Sequence, residues 1–329
     1  MTQNAAVVPE LTVQRKAAIA HAAARDYSGS VRVEPLENFD LDRTIFNTLE
    51  GTLPRVVMQS RIAKEPHWST KAASQIDSDY GEASARVELP DVDPLLMRFL
   101  QEECDFDVEH ADGSFLDHLY FCYEYGTLHY PKRSPLVLLL HSILGTGTNT
   151  FAMPASKMPT LSPLMNEFEW SHVESFPSML RLLYGLELRK ELRRNLHRLD
   201  LIDGIRLNRV IDNEPLTLSV EDMWIQLNYQ LIHLVDFLPV SNWRVHANDT
   251  AFIVFRDLYD LLERAGKLET KLDYEPASGP RKLVDEKLTV PGWLATWIPV
   301  PVSEMMAAKS VGRFSQRIGH SMDYELLWR

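Results

Sequence analysis

Two histidines in strongly apolar surroundings are the residues of this sequence best suited to hold a metal ion. His141 follows the apolar run at 135–140 and precedes a loop of small residues at 145–150. His118 lies upstream among Leu, Phe and Tyr side chains. An imidazole that leaves water for an apolar interior loses hydrogen bonds, so its burial costs free energy unless a partner or ligand replaces them. Both histidines are therefore candidate metal ligands.

A helix through residues 114–125 would point His118 into the protein interior. Side chains three or four residues apart lie on the same face of a helix. The residues that recur with this spacing are Phe115, His118, Cys122 and Tyr125. Because the other three are apolar or aromatic, the pattern predicts that His118 faces the same interior that the run before His141 fills.

Asp236 is a third candidate ligand, far away in the sequence but again helical. It ends the apolar side of a predicted helix at 219–238. A carboxylate on an apolar helix face needs a partner such as a metal ion, an arginine or an amide group. The alternative is an exposed helix end just before Pro239, where the carboxylate faces water.

The order of these residues resembles the metal-binding helices of the HD-domain superfamily. That superfamily has a first histidine, a His-Asp pair about two dozen residues later and a late aspartate, an order that His118, His141 and Asp236 follow. Asp117-His-Leu, an apolar segment and His141-Ser-Ile-Leu-Gly-Thr are also similar to an uncharacterised HD-like family whose second motif reads His-Ser-Ile-Tyr-Gly-Thr. The resemblance spans residues 110 to 240 and implies a helical metal-binding domain.

One departure from the superfamily pattern lies directly after His141. Ser142 stands where the resemblance places a metal-bridging aspartate. A hydroxyl is a poor ligand beside a carboxylate, so the sequence predicts one divalent ion, Fe, Mn or Zn, rather than a dinuclear centre. Ser142 is not expected to be a nucleophile, because no Gly-x-Ser-x-Gly turn surrounds it.

Further histidines extend the set of candidate ligands. His172 and His197 lie between His141 and Asp236, and iron oxygenases of the HD superfamily use extra histidines at that place in the order. His172 is a fourth candidate ligand, whereas the arginine-rich surroundings of His197 favour solvent exposure. Two more histidines could orient a ligand through hydrogen bonds, namely His110 and His233.

The loop after His141 is a candidate substrate loop. It is rich in small and hydroxyl-bearing residues, and the alternative is a plain connector. No Gly-Lys-Ser/Thr follows it and no parallel-strand pattern precedes it, so it is not a phosphate-binding P-loop. The residues assigned to the substrate loop are Ser142, Gly145, Thr146 and Asn149.

Composition limits the compartment and the partners. The net charge of -12 argues against nucleic acid or an anionic membrane as the main partner, because phosphate groups are bound by basic surfaces. With two cysteines in 329 residues, a disulfide framework is excluded. The first residues lack a secretory signal pattern, and no apolar stretch reaches the length of a membrane span. We expect a cytoplasmic protein that acts on a small-molecule substrate, and the oligomeric state stays open.

The spacing of apolar residues and helix-start signals predicts a mainly α fold. We expect an HD-like helical bundle at 93–266, a preceding part at 1–92 with a helix at 12–26 and an irregular arm, and a Pro-rich C-terminal extension at 267–329 packed on the bundle. Asp93-Pro94 is a helix-start signal, and alternating charges at 189–194 indicate a solvated helix face. Other predicted helices span 161–169, 172–184, 187–198, 219–238, 249–266 and 303–310.

Two classes of function are consistent with this pattern. The first is a metal-dependent enzyme in which His118, His141 and Asp236 hold one ion, with hydrolysis of a phosphorylated or related small substrate as the reaction that the resemblance implies. A redox variant is an iron-dependent HD-type oxygenase, which would also use His172 and His197. The second class is a catalytically silent helical protein that binds a ligand or partner in the same pocket.

Overall fold

The structure is a computed structural model that describes a little over half of the chain. The described residues are 90–104, 109–110, 113–114, 119, 122–123, 125–127, 129–145, 152–237, 250–271 and 297–329. Only the backbone is described at 101, 109–110, 113–114, 235–237 and 252. The predicted helix at 12–26 and nearly all of the irregular arm therefore lie outside the described residues.

Helices dominate the described part, where they account for 63% of the residues, so the prediction of a mainly α fold is confirmed at this level. The helices are α1 Pro94–Glu103, α2 Leu136–Leu140, α3 Met158–Leu161, α4 Glu167–Tyr184, α5 Glu187–Arg194, α6 Val220–Phe237, α7 Thr250–Arg264 and α8 Val300–Arg317. Short 3-10 segments cover Ala155–Lys157, Ser162–Leu164 and Leu196–Leu201. None of the helices within this part of the chain is long and apolar enough to cross a membrane.

Local capping residues explain where two of these helices begin. The Asp93 side chain accepts a hydrogen bond from the Leu95 amide at 2.7 Å, and Pro94 occupies the first helical position of α1. At the start of α4, Asn166 and Glu169 each bind the backbone amide of the other in a capping box. The predicted start of α1 at Asp93-Pro94 is thus confirmed.

A small antiparallel sheet is the element that the sequence pattern did not predict. Strand β3 (Ile202–Asn208) lies between β4 (Pro215–Ser219) and β5 (Glu325–Trp328), and Ile205 faces Leu218 on one side and Leu326 on the other. A two-residue pair, β1 (Glu109–His110) with β2 (Gly113–Ser114), forms a separate hairpin. The C-terminal strand is therefore part of the same sheet as the centre of the chain.

The core of the described part is built around α4 and α6, which pack against each other. Helix α2 packs on α4, α7 packs on α6, and α8 contacts both α7 and α4. One contiguous set of buried apolar side chains runs through these elements and includes Phe176 of α4, Leu231 of α6 and Leu326 of β5. Within this core, the interface between α4 and α6 also contains buried polar side chains, among them His172 and Gln226.

The charged segment at 189–194 differs from the prediction of a solvated face. Arg189 is only 2% exposed, and its guanidinium bonds Asp257 of α7 at 2.6 Å and Glu304 of α8 at 3.0 Å. Arg193, half-buried, bonds Asp260 at 2.9 Å. The prediction was wrong for this face because the opposing carboxylates come from distant helices. These ion pairs join α5 to α7 and α8.

Candidate functional site

His141 is completely buried at the C-terminal end of α2. The five residues of α2 are apolar and four of them are fully buried. The His141 imidazole, which follows directly after the helix, is therefore buried in the same core. The Nδ1 atom of His141 lies 2.6 Å from the Leu138 carbonyl oxygen. Because a carbonyl oxygen only accepts, Nδ1 carries a proton, and in a neutral imidazole Nε2 is then the nitrogen with the lone pair.

A second buried histidine, His233 of α6, lies directly against His141. The ring centroids are 4.5 Å apart with the rings edge to face, and Phe176 of α4 contacts both imidazoles at centroid distances of 4.8 Å and 5.3 Å. Helices α2, α4 and α6 thus meet at one cluster of three rings. The sequence indicated His233 only as a group that could orient a ligand, and the structure brings it into contact with His141 itself.

The structure describes only part of the other two predicted ligands, Asp236 and His118. The backbone of Asp236 lies in α6, three residues after His233, so the helix that carries His233 past His141 continues to Asp236. The Asp236 side chain and all of His118 lie outside the described residues. No group of three His, Cys, Asp or Glu side chains among the residues that are described could hold a metal ion. The predicted triad therefore remains a prediction.

His172 is buried in α4 with a different set of neighbours. Its Nδ1 atom is 2.8 Å from Oε1 of Gln226, its Nε2 atom is 3.5 Å from Oδ1 of Asp222, and its ring packs against Phe168 and Tyr229. Burial lowers the pKa of His172 below its ordinary value, although the nearby Asp222 carboxylate acts in the opposite direction. The described contacts connect His172 to Gln226 and Asp222, and none of them supports its predicted role as a ligand beside His141.

The remaining candidate residues lie in varied surroundings. His197 is exposed in the 3-10 segment after α5, as its arginine-rich surroundings predicted, and His110 belongs to the β1 strand with only its backbone described. Ser142 and Gly145 are buried rather than exposed, and Gly145 has a positive φ of 125° that favours glycine. Thr146 and Asn149 lie outside the described residues. The candidate substrate loop is thus described only at its buried start.

Two glutamines of α6 are functional candidates that the sequence reasoning missed. Gln226 and Gln230 are fully buried, and Nε2 of Gln230 donates to the Phe176 carbonyl oxygen at 3.0 Å. With Asp222 and His233 they form a row of polar residues spaced by four, four and three positions along the helix. This helical spacing of polar residues inside an otherwise apolar segment was the signal that could have identified them.

A second buried polar cluster joins α4 to the C-terminal part of the chain. Nη1 of Arg181 donates to Ser315 Oγ at 3.0 Å and lies 3.5 Å from Nδ1 of His320, while the guanidinium stacks over Phe314 at 4.8 Å from the ring centre. Burial lowers the pKa of Arg181 to about 9 and that of His320 to about 4. Nε2 of His320 also bonds the carbonyl oxygen of Asn208, the last residue of β3. The cluster therefore connects α8 to α4 and β3.

Comparisons with known proteins give no match for this chain. No family model, curated protein sequence or solved structure matches the chain.

Proposed function

We propose that this protein is a metal-dependent small-molecule enzyme of the HD-like kind, in which His118, His141 and Asp236 hold one divalent ion. The reaction we favour is hydrolysis of a phosphorylated or related small substrate. The observation that carries the proposal is the state of His141, a buried imidazole whose Nδ1–H is donated to a backbone carbonyl group. Histidines that ligate metals usually donate their other ring N–H in this way, which fixes the ring and presents the lone pair of the second nitrogen.

The elements around His141 also support the proposal. His233 and Phe176 pack on the His141 ring and hold its orientation. Helix α6 continues from His233 to Asp236 within one turn, which is consistent with a carboxylate ligand from the same region. A bound divalent ion would supply Lewis acidity toward the substrate and an acidified water molecule. The apolar side chains of α2 and α4 would keep bulk water away from the imidazoles.

A second candidate function is a non-catalytic helical protein that binds a ligand or partner. It is favoured by Ser142, which stands where the HD pattern has a carboxylate and which is buried with 3% exposure. The oxygenase variant gains less support, because His197 lies exposed on the surface and not with the buried histidines.

The test is a metal-reconstitution assay on the full chain. The protein is stripped with a chelator, reloaded with Mn²⁺, Fe²⁺ or Zn²⁺, and mixed with phosphomonoesters and phosphodiesters. The proposal predicts release of phosphate, or of an alcohol from diesters, that requires the metal and falls at least about a hundredfold in His141→Ala. Stoichiometric metal without hydrolysis would leave the redox variant to be tested by oxygen consumption of the iron form. A chain that binds no metal would favour the non-catalytic candidate.

A further inference from the structure

A chain of buried polar side chains runs between α4 and α6 from the protein surface toward the core. We call Asp222, His172, Gln226 and Gln230 the polar seam. Asp222 is partly exposed, whereas the other three members are fully buried. His172 links Asp222 at 3.5 Å to Gln226 at 2.8 Å, and Gln230 ends the seam at the Phe176 carbonyl. The seam therefore stops beside the ring that contacts His141 and His233.

The hydrogen bonds of the polar seam are incomplete at its centre. Within the described structure, no hydrogen-bond partner reaches Nε2 of Gln226, Oε1 of Gln230 or Nε2 of His172. The 3.5 Å separation from Asp222 does not make a hydrogen bond for the last of these atoms. An enclosed polar atom without a partner destabilises the fold, because it has given up its hydrogen bonds to water. Three such atoms in one interface indicate that a further polar group belongs there.

The neighbours of the two amides limit what that group can be. The Phe176 carbonyl oxygen only accepts, so the Gln230 amide must present its nitrogen there, and Oε1 is left as an acceptor. The Gln226 amide uses one of its two polar atoms to contact His172, and the second atom remains without a partner whichever way the amide is turned. If the spare atom is nitrogen, the two glutamines offer a donor and an acceptor. If it is oxygen, they offer two acceptors.

We propose that a buried water molecule lies between α4 and α6 and bridges Gln226 to Gln230. A water molecule can donate two hydrogen bonds and accept others, so it satisfies both orientations of the Gln226 amide, which a direct bond between the glutamines does not. The two residues are four positions apart and therefore neighbours on the surface of α6. Buried water commonly makes two to four hydrogen bonds to such groups. With this water, the seam is a continuous hydrogen-bonded path from His172 to the Phe176 carbonyl group, and it does not depend on a metal ion.

The test is a crystal structure of the full chain at about 1.5 Å resolution or better, with Gln230→Leu and Ser175→Ala determined alongside. Ser175 is a matched control, because it is buried in α4 and its hydroxyl is already bonded to the Ser171 carbonyl oxygen at 2.8 Å. We expect a water peak at about 2.7–3.2 Å from the spare amide atoms of Gln226 and Gln230. The peak should persist in Ser175→Ala and disappear in Gln230→Leu.

The wild-type crystal structure alone decides the question if the Gln230→Leu variant does not fold. A direct hydrogen bond between the two glutamines, or empty density between them, would overturn the proposal. Density too large for water would also overturn it and would identify the site as one for a larger polar ligand.

Discussion

The imidazole rings of His141 and His233 meet edge to face in the core, with their centroids 4.5 Å apart. The two residues come from different helices, α2 and α6, and Phe176 of α4 packs against both. Three helices therefore meet at two imidazole rings and one phenyl ring. This cluster is the centre of the proposed metal site.

The first prediction concerns Ser142, which the resemblance places at the position of a metal-bridging carboxylate. Ser142→Asp should raise the affinity for divalent metal by at least about tenfold, because a carboxylate brings charge and two ligand oxygens where a hydroxyl brings little. Metal titration by calorimetry measures the change. Ser175→Asp is the matched control, since it places a carboxylate at another fully buried serine in α4.

The control variant should lose stability without gaining metal affinity, because its charge is buried without a partner. If Ser142→Asp behaves in the same way, Ser142 does not lie at a metal site.

The second prediction concerns the pH dependence of stability through His320. Its pKa is lowered to about 4 in the folded protein by burial and then by Arg181, against an ordinary value near 6.5. The unfolded chain therefore takes up the proton first as the pH falls, and folding stability is lost between about pH 6.5 and pH 4. His320 accounts for a decrease of about 2 kcal/mol in the free energy of unfolding between pH 7 and pH 4.5.

His320→Gln removes this titrating group and should make the decline in stability shallower by that amount. Urea unfolding of both proteins at the two pH values measures the difference. An equally steep decline in the variant would mean that His320 does not titrate with a lowered pKa.

The third prediction concerns the ion pairs of Arg189. Arg189→Met should destabilise the fold by about 3 kcal/mol, because it leaves the carboxylates of Asp257 and Glu304 partly buried with one cation fewer. Lys190→Met is the control, since the Lys190 side chain is 44% exposed and pairs with Glu187 on the same helix. That variant should lose less than about 1 kcal/mol. Urea unfolding curves compare the two, and equal losses would contradict the structural role of Arg189.

Much of the helical structure could be predicted from the sequence because helix signals are local. The predicted helix at 219–238 is observed as Val220–Phe237, and the predicted helix at 249–266 as Thr250–Arg264. Apolar spacing, Asp93 at a helix start and breakers between segments all act within a few residues. Such signals define each helix before any tertiary contact is considered.

The sheet and the ion pairs could not be predicted in the same way because they depend on distant partners. Strand β3 contains Gly204, and a Cβ atom at this position would clash with the Leu218 carbonyl group. The strand is completed by β5, more than one hundred residues later. The burial of Arg189 likewise depends on α7 and α8. No pattern within the six residues at 189–194 indicates such partners.

The candidate site could be predicted only in part, because it depends both on local sequence signals and on contacts between distant helices. The apolar run before His141 correctly indicated that its imidazole is buried. The contact with His233 depends on how α2, α4 and α6 pack together, and the sequence pattern indicated only a supporting role for His233. Gln226 and Gln230 carry no signal as single polar residues in an apolar helix, and only their helical spacing with Asp222 and His233 indicates a row.

The measurement that tests the central claim most directly is the metal content of the purified full chain, determined by mass spectrometry of the elements. The wild type, His141→Ala, His118→Ala and His197→Ala are compared, with circular dichroism to establish that each remains folded. The exposed His197 serves as the control. We expect about one Fe, Mn or Zn ion per chain in the wild type and in His197→Ala, and near-complete loss in the other two variants. A wild-type protein without metal, or unchanged metal content in His141→Ala and His118→Ala, would contradict the proposed site.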